Sequence, residues 1–390
     1  MNISQQNIRE HLRTFSFPRL SGTEFEKKAS NLAIEEIRKL GLNPQIQRFK
    51  FSTFYSRVYP KITFPLTFWV VLSFYLGFNP GFLLLNFLII SVIFLPFFII
   101  TRKPETIRFG KVLESQNVYV RLEPISKPND VQQNNREISN VFFIAHLDSK
   151  GQQFIARTRF LSILGYSFSL ISLGIVILLR ELIFMKSFLL ITIIGFFPLL
   201  VNFICVLILS LNTTNNNSKG VVDNASGVSC VLELLRYYSE SENRLKDINL
   251  WFVLTGAEET GTMGIRNFLK IMQNVDKETS LINNFESLGK GVAVFISKNN
   301  LDNNPAYYKR FEEKAAEFHF RTQVSSVNRG VHTDGIYLFQ NDFNLFEFGS
   351  TDVGKFMHSE NDNLGNVSPE ILKKLCEFLV ELLEETQNKK

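Results

Sequence analysis

Apolar residues along this chain fall into two kinds of run. Four are long and free of charge: Ile62 to Phe78, Gly81 to Ile100, Phe160 to Leu179, and about Phe188 to Ser210. A bilayer core takes about 20 apolar residues in a helix, so the later three have the length to cross one, while the first needs help from its flanks. Asn79-Pro80 breaks the first pair, and a short stretch with Arg180, Glu181 and Lys186 separates the second. Because backbone polar groups must be satisfied inside lipid, the simplest reading is two helical hairpins, residues 61–104 and 157–212, making four transmembrane helices.

The other apolar runs are short. Residues 140–145, 249–255, 292–296 and 344–348 read as buried strands, and helical patterns lie between them. Thr23-Glu-Phe-Glu26 has the form of a capping box before a stripe of Phe25, Ala29, Leu32, Ala33, Ile37 and Leu40 that ends at Gly41. Ser368-Pro369 opens a last helix with Ile371, Leu372, Leu375, Phe378, Leu379 and Leu382 on one face. The expected fold class is α/β, a mainly parallel central sheet with helices on both faces, interrupted by the two hairpins. Residues 1–60, 105–156 and 213–390 would then be parts of one domain, and Asn212 to Ser218 a polar linker.

Charge adds an orientation. Arg48, Lys50, Arg57 and Lys61 precede the first hairpin, Arg102, Lys103, Arg108 and Lys111 follow it, and Lys150, Arg157 and Arg159 precede the second. By the positive-inside rule the soluble part faces the cytoplasm, and an even number of spans keeps it on one side. The opening MNISQQNIREHLRTF has no basic stretch followed by an apolar one, so no signal peptide is expected. The net charge of +5 comes without a dense basic patch, which argues against nucleic acid, and three cysteines give no disulfide framework.

Candidate chemistry gathers where strands end. Leu250 to Thr255 runs into Gly256-Ala-Glu-Glu-Thr-Gly261, placing Glu258 and Glu259 at a strand's carboxyl end, where open α/β sheets bind ligands. One carboxylate there can hold a metal while its neighbour takes a proton from a metal-activated water. The strand at 140–145 ends in His146-Leu-Asp148, and a carboxylate two residues on can steady an imidazole ligand. Asp223 lies in Lys219-Gly-Val-Val-Asp-Asn-Ala-Ser-Gly227, before a helical run. Downstream come Asn284-Phe-Glu286, Val331-His-Thr-Asp334 and Phe356-Met-His358-Ser-Glu-Asn-Asp362.

This order of motifs resembles the co-catalytic zinc aminopeptidase family, which includes secreted bacterial leucine aminopeptidases, glutamate carboxypeptidases and the single-zinc glutaminyl cyclases. The resemblance implies a membrane-embedded zinc exopeptidase, an aminopeptidase by preference, with two Zn²⁺ ions and a peptide substrate. It implies that His146 and Glu286 each bind one ion, that Glu259 and His358 complete the two shells, and that Asp223 bridges. Glu258 would be the general base, and Asp148 would orient His146. His332 and Asp334 match the segment lining the substrate pocket. Imidazole and carboxylate donors suit zinc.

Two positions depart from the family pattern. Glu286 stands where Asp is usual, with Asp276 as a substitute, and Met357 stands where a Tyr often steadies an oxyanion. Same-fold alternatives are another amidohydrolase or an amide-cyclising enzyme; the different-class alternative is a membrane scaffold that has lost catalysis. The second hairpin interrupts the chain between His146 and Asp223, and its tethers reach roughly 40 Å at most. The active-site rim is therefore expected near the bilayer.

Overall fold

The computed structural model describes residues 2–125, 138–182, 188–297, 302–325 and 332–388. They form two compact units, one of residues 1–50, 113–151 and 215–390, the other of residues 51–112 and 152–214.

The first unit is built on an eight-stranded sheet. Its strands in chain order are β1 (Gln45–Ser52), β2 (Val112–Leu122), β3 (Asn140–His146), β6 (Asn249–Thr255), β7 (Ser280–Glu286), β8 (Ala293–Ser297), β9 (Arg321–Ser325) and β10 (Asn344–Gly349), while β4 (Gly151–Gln152) and β5 (Thr214–Asn215) pair separately. The spatial order is β1-β2-β6-β3-β7-β10-β8-β9. The centre, β6-β3-β7-β10, is parallel, and antiparallel pairs flank it at β2-β6 and β10-β8.

A central parallel strand is covered on both faces, so its side chains are apolar at every position rather than at alternate ones. β3 shows why. Val141 and Phe143 belong to the core on one face, which also takes in residues of the helices Gln5–Thr14, Ser226–Ser239, Pro305–Glu317 and Pro369–Asn388, whereas Phe142 and Ile144 belong to the core on the other, with residues of the short helices Met263–Phe268 and Asp334–Phe339. Burying each such Phe contributes about 2 to 3 kcal/mol.

The four expected strands are present, and four others, β1, β2, β7 and β9, were not legible as strands. β1 reads Gln-Ile-Gln-Arg-Phe-Lys-Phe-Ser, with five of its eight positions polar, and β7 buries Asn283 and Asn284 within it. β1 lies at the sheet edge with Gln45, Arg48 and Lys50 exposed, while β7 buries its polar side chains, so neither strand carries an apolar run. The capping box also needs correcting. Thr23 precedes the helix Glu24–Lys39 but makes no side-chain cap, and Glu26 instead accepts from the Gly22 and Ala257 N–H groups.

The second unit contains the helices Tyr59–Leu76, Pro80–Thr101, Ala156–Leu182 and Phe188–Leu211. The break between the first two is built as its residues suggest: Gly77 takes the left-handed conformation that ends one helix, and Asn79 caps the next by accepting from the Phe82 N–H at 2.9 Å, with Pro80 in the first turn. Arg180 donates to the Phe74 and Tyr75 carbonyls, satisfying a helix carboxyl end. Lys186, read above in the same connection, lies outside the described residues.

Three helices among the described residues, Pro80–Thr101, Ala156–Arg180 and Leu189–Leu211, are long and apolar enough to cross a membrane. Tyr59–Leu76 is not among them; it is 18 residues long, with Lys61 near its start and Pro65 inside it. Val92, Leu189 and Phe197 are each 72% exposed, a display of large apolar side chains that water disfavours and lipid does not. Tyr166 donates to Thr67 at 2.8 Å and Asn202 to Ser169 at 2.8 Å, polar ties between helices of the kind that apolar surroundings favour.

Candidate metal centre

Because β6, β3 and β7 are adjacent and parallel, the residues at their carboxyl ends converge. His146 closes β3 opposite Thr255 of β6, Glu286 closes β7, and the turn after β6 carries Glu258 and Glu259. That turn is forced round by Ala257, a non-glycine residue at φ 51°. Ser287 at φ 57° and His358 at φ 63° are likewise left-handed beside or at candidate ligands. Such conformations cost about 1 to 3 kcal/mol each and persist where surrounding packing over-determines them.

Two donor groups result. His146 Nε2 lies 3.1 Å from Asp223 Oδ1 and 3.5 Å from Glu286 Oε1. His358 Nε2 lies 3.1 Å from Asp223 Oδ2 and 3.1 Å from Glu259 Oε1. Each trio, His146–Asp223–Glu286 and Asp223–Glu259–His358, offers ligand atoms within 4.8 Å of one another. Asp223 belongs to both, one oxygen to each. His146 Nε2, Asp223 Oδ1, Glu259 Oε1 and Glu286 Oε2 are buried without a hydrogen-bond partner. Orphaned polar atoms at that density are costly unless something satisfies them. Three carboxylates and two imidazoles are the donor chemistry zinc accepts, so the residues fit two ions.

Asp148 ties two of these loops together. Its carboxylate accepts the Glu258 N–H at 3.0 Å and the Glu259 N–H at 3.1 Å, while its backbone carbonyl lies 3.1 Å from His146 Nδ1. The carboxylate itself is 3.6 Å from that nitrogen, so the main chain of Asp148 is the nearer partner of the ring. Glu258 is buried and belongs to neither donor trio. Burial first, opposed by His146 and reinforced by Glu286, Glu259 and Asp334, holds its pKa well above the ordinary carboxylate range. A carboxylate so placed is suited to accept and return a proton near neutral pH.

Of the departures, Asp276 is spent elsewhere, accepting from the Glu278 N–H and the Thr279 hydroxyl on an exposed turn, whereas Glu286 stands in the donor trio. Met357 packs against the core. His332 is exposed. Asp334 is buried, takes the Thr255 hydroxyl on Oδ2, and is pushed by burial up to about 7.

Three residues escaped sequence reading. Lys150, counted above as a membrane-flanking charge, places Nζ 2.6 Å from Glu259 Oε2 and donates to the Glu259 carbonyl at 3.2 Å, leaving Oε1 to the His358 group. Asp362 accepts the Val222 N–H at 2.6 Å and the Asp223 N–H at 3.2 Å, holding the shared carboxylate's backbone. Glu347, on β10, is buried against Asn284 and raised by burial to about 8. Only Asp362 had a local signal, four residues after His358.

Residues 208–383 match the model of peptidase family M28. No curated protein matches the sequence. Among solved structures, the aminopeptidase from Aneurinibacillus sp. strain AM-1 shares 13% identity at a TM-score of 0.56, over 99% of this chain and 94% of that one. BSAP, a zinc aminopeptidase from Bacillus subtilis, shares 14% at 0.54, over 98% and 95%. The glutaminyl cyclase of Bacteroides thetaiotaomicron, solved with N-acetylhistamine, shares 10% at 0.54, over 98% of each chain. At these identities the likeness to solved structures is one of fold. Taken with the match of residues 208–383 to the M28 model and a donor set suited to zinc, it makes the chain similar to the zinc peptidases of family M28 in its fold and in the chemistry of the side chains gathered at the strand ends.

Proposed function

We propose that the chain is a membrane-bound aminopeptidase whose two zinc ions are held by His146, Asp223 and Glu286 on one side and by Asp223, Glu259 and His358 on the other. The observation that carries this reading is the division of Asp223, whose two oxygens face two different imidazoles at 3.1 Å each. Zinc, when bound, supplies Lewis acidity that polarises a carbonyl and acidifies water.

The protein's own groups supply the rest. Glu258 takes the proton of the attacking water and returns it to the leaving amine. Asp148 orients His146 and fixes the main chain of Glu258 and Glu259. Lys150 is engaged with Glu259, and Glu258, Asp334 and Glu347 add buried acid nearby. Such a site suits a free cationic amino terminus better than a terminal carboxylate. Asp334 and His332 are the residues we assign to the pocket. Likeness to the Bacteroides glutaminyl cyclase favours amide cyclisation as the alternative.

In this reading all four helices of the second unit cross the bilayer as two hairpins, Tyr59–Leu76 being the short fourth, and the catalytic unit faces the cytoplasm, an orientation supported by the flanking Arg and Lys residues. The test is metal analysis of the purified protein together with a panel of free and amino-blocked peptides, carboxyl-terminal substrates and amino-terminal Gln substrates. Two zinc ions with turnover of free-amino peptides alone is the expected result. Turnover of blocked peptides or none at all would refute the aminopeptidase, and cyclisation would select the alternative. Labelling of single cysteines placed at Asn79 and Lys103 from either side of sealed vesicles tests the topology.

A further inference from the structure

The segment from Arg19 to Glu26 contributes no candidate ligand, yet three of its side chains are buried and each reaches a loop that carries one. Arg19 has none of its surface exposed and, among the described residues, no ion pair. Its guanidinium is spent on backbone carbonyls: Nε donates to Leu147 at 2.7 Å, Nη1 to Phe15, to Phe17 at 2.8 Å and to Lys219 at 2.8 Å, and Nη2 to Gly220 at 2.9 Å. Leu147 sits between His146 and Asp148, and Gly220 opens the turn that presents Asp223. One planar cation therefore spans two ligand loops that lie far apart in sequence.

The rest of the segment extends the tie. Ser21 donates its hydroxyl to Asp148 Oδ2 at 2.5 Å, on the carboxylate that holds Glu258 and Glu259. Glu26 accepts the Ala257 N–H at 2.7 Å, at the left-handed residue that aims the same pair, and the Ser115 hydroxyl at 2.7 Å. Gly220 shows how close the fit is: at φ +59° a Cβ there would lie 3.0 Å from Arg19 Nη2 and 2.4 Å from Ser149 Cβ. The carboxylates that feel the charge of Arg19 are Asp362, Asp148, Asp223 and Glu259.

We propose that Arg19 is a positioning residue of the metal centre: with Ser21 and Glu26 it sets the spacing of the loops bearing His146, Asp223 and the Glu258–Glu259 pair before any ion arrives. This rests on reading those loops as a zinc site. Lysine cannot replace it, because a single ammonium lacks the fork of donors needed to reach carbonyls on separate segments.

The test titrates Zn²⁺ into metal-stripped, full-length protein in detergent, for the wild type, Arg19→Lys and Ser21→Ala, and records the visible absorption of each Co²⁺-loaded form. The wild type should take up two ions. Arg19→Lys should keep wild-type far-ultraviolet circular dichroism, lose about tenfold or more in Zn²⁺ affinity, and shift its Co²⁺ spectrum, as expected when partners behind the ligands are removed. Ser21→Ala should show a smaller loss in the same direction. Folded variants with wild-type affinity and spectrum would overturn the proposal, even if their metal-free forms melted earlier. If Arg19→Lys does not fold, Ser21→Ala decides by the same criterion. A wild type that binds no zinc would instead remove the metal-centre reading itself.

Discussion

Replacing Glu258 with Gln separates proton transfer from metal binding. The side chain is not in either donor trio, and its backbone N–H is held independently by Asp148 at 3.0 Å. Gln has the same shape and costs nothing in loop geometry, so zinc content should stay at the wild-type value. What is lost is a group whose pKa, raised by burial, suits it to exchange protons near neutrality. General-base contributions run to about 10²- to 10⁴-fold, or about 3 to 5 kcal/mol in transition-state free energy. The assay is kcat/KM on a chromogenic aminoacyl anilide beside zinc per chain by mass spectrometry. A drop of that size at unchanged zinc is the expected outcome. Full activity would strip Glu258 of the role, and a parallel loss of zinc would show that it acts as a ligand instead.

Further expectations concern metal, pH and backbone. Chelation followed by Zn²⁺ restoration should lower and then recover thermal stability, by about 4 kcal/mol when zinc is present at a thousand times its dissociation constant; a melting temperature indifferent to zinc would count against a structural link between ion and fold. Glu347 is held at about 8 rather than its ordinary 4.5, so the folded state opposes its ionisation by about 5 kcal/mol. Because the folded pKa is the raised one, this stability is fully present below pH 4.5 and is lost as pH rises through 8. Glu347→Gln should flatten that decline in melts between pH 5 and 9, and identical pH slopes for variant and wild type would refute it. Gly220→Ala should destabilise the catalytic unit by about 2 kcal/mol or more, since the new Cβ would lie 2.7 Å from the Asp223 carbonyl as well as on Ser149, and a melting temperature within a degree of wild type would show that the turn can relax.

The candidate ligands were legible for a local reason. A buried parallel strand is apolar nearly throughout, so the polar residues just after it mark the sheet's carboxyl edge; His146 follows Val141 to Ala145 in this way, and Glu259 follows Leu250 to Thr255 within four residues. Glu286 was legible as a motif but not as the end of a strand, because Asn283 and Asn284 interrupt the apolar pattern of β7. Arg19 lies in Pro18-Arg-Leu-Ser-Gly22, whose residue types by themselves suggest a turn and helix cap, and Lys150 reads as a flanking charge. Their roles depend on partners 128 and 109 residues away.

From its residues alone the chain declares an α/β sheet, three apolar helices long enough to cross a membrane, and a set of imidazoles and carboxylates at strand ends, since period, apolar run length and side-chain chemistry are properties of neighbouring positions. Only the folded arrangement settles that Asp223 divides its oxygens between His146 and His358, that Glu259 is shared with Lys150, and that one buried guanidinium joins two ligand loops. Those are distances between segments remote in the chain, set by strand order and packing, and no local pattern encodes them.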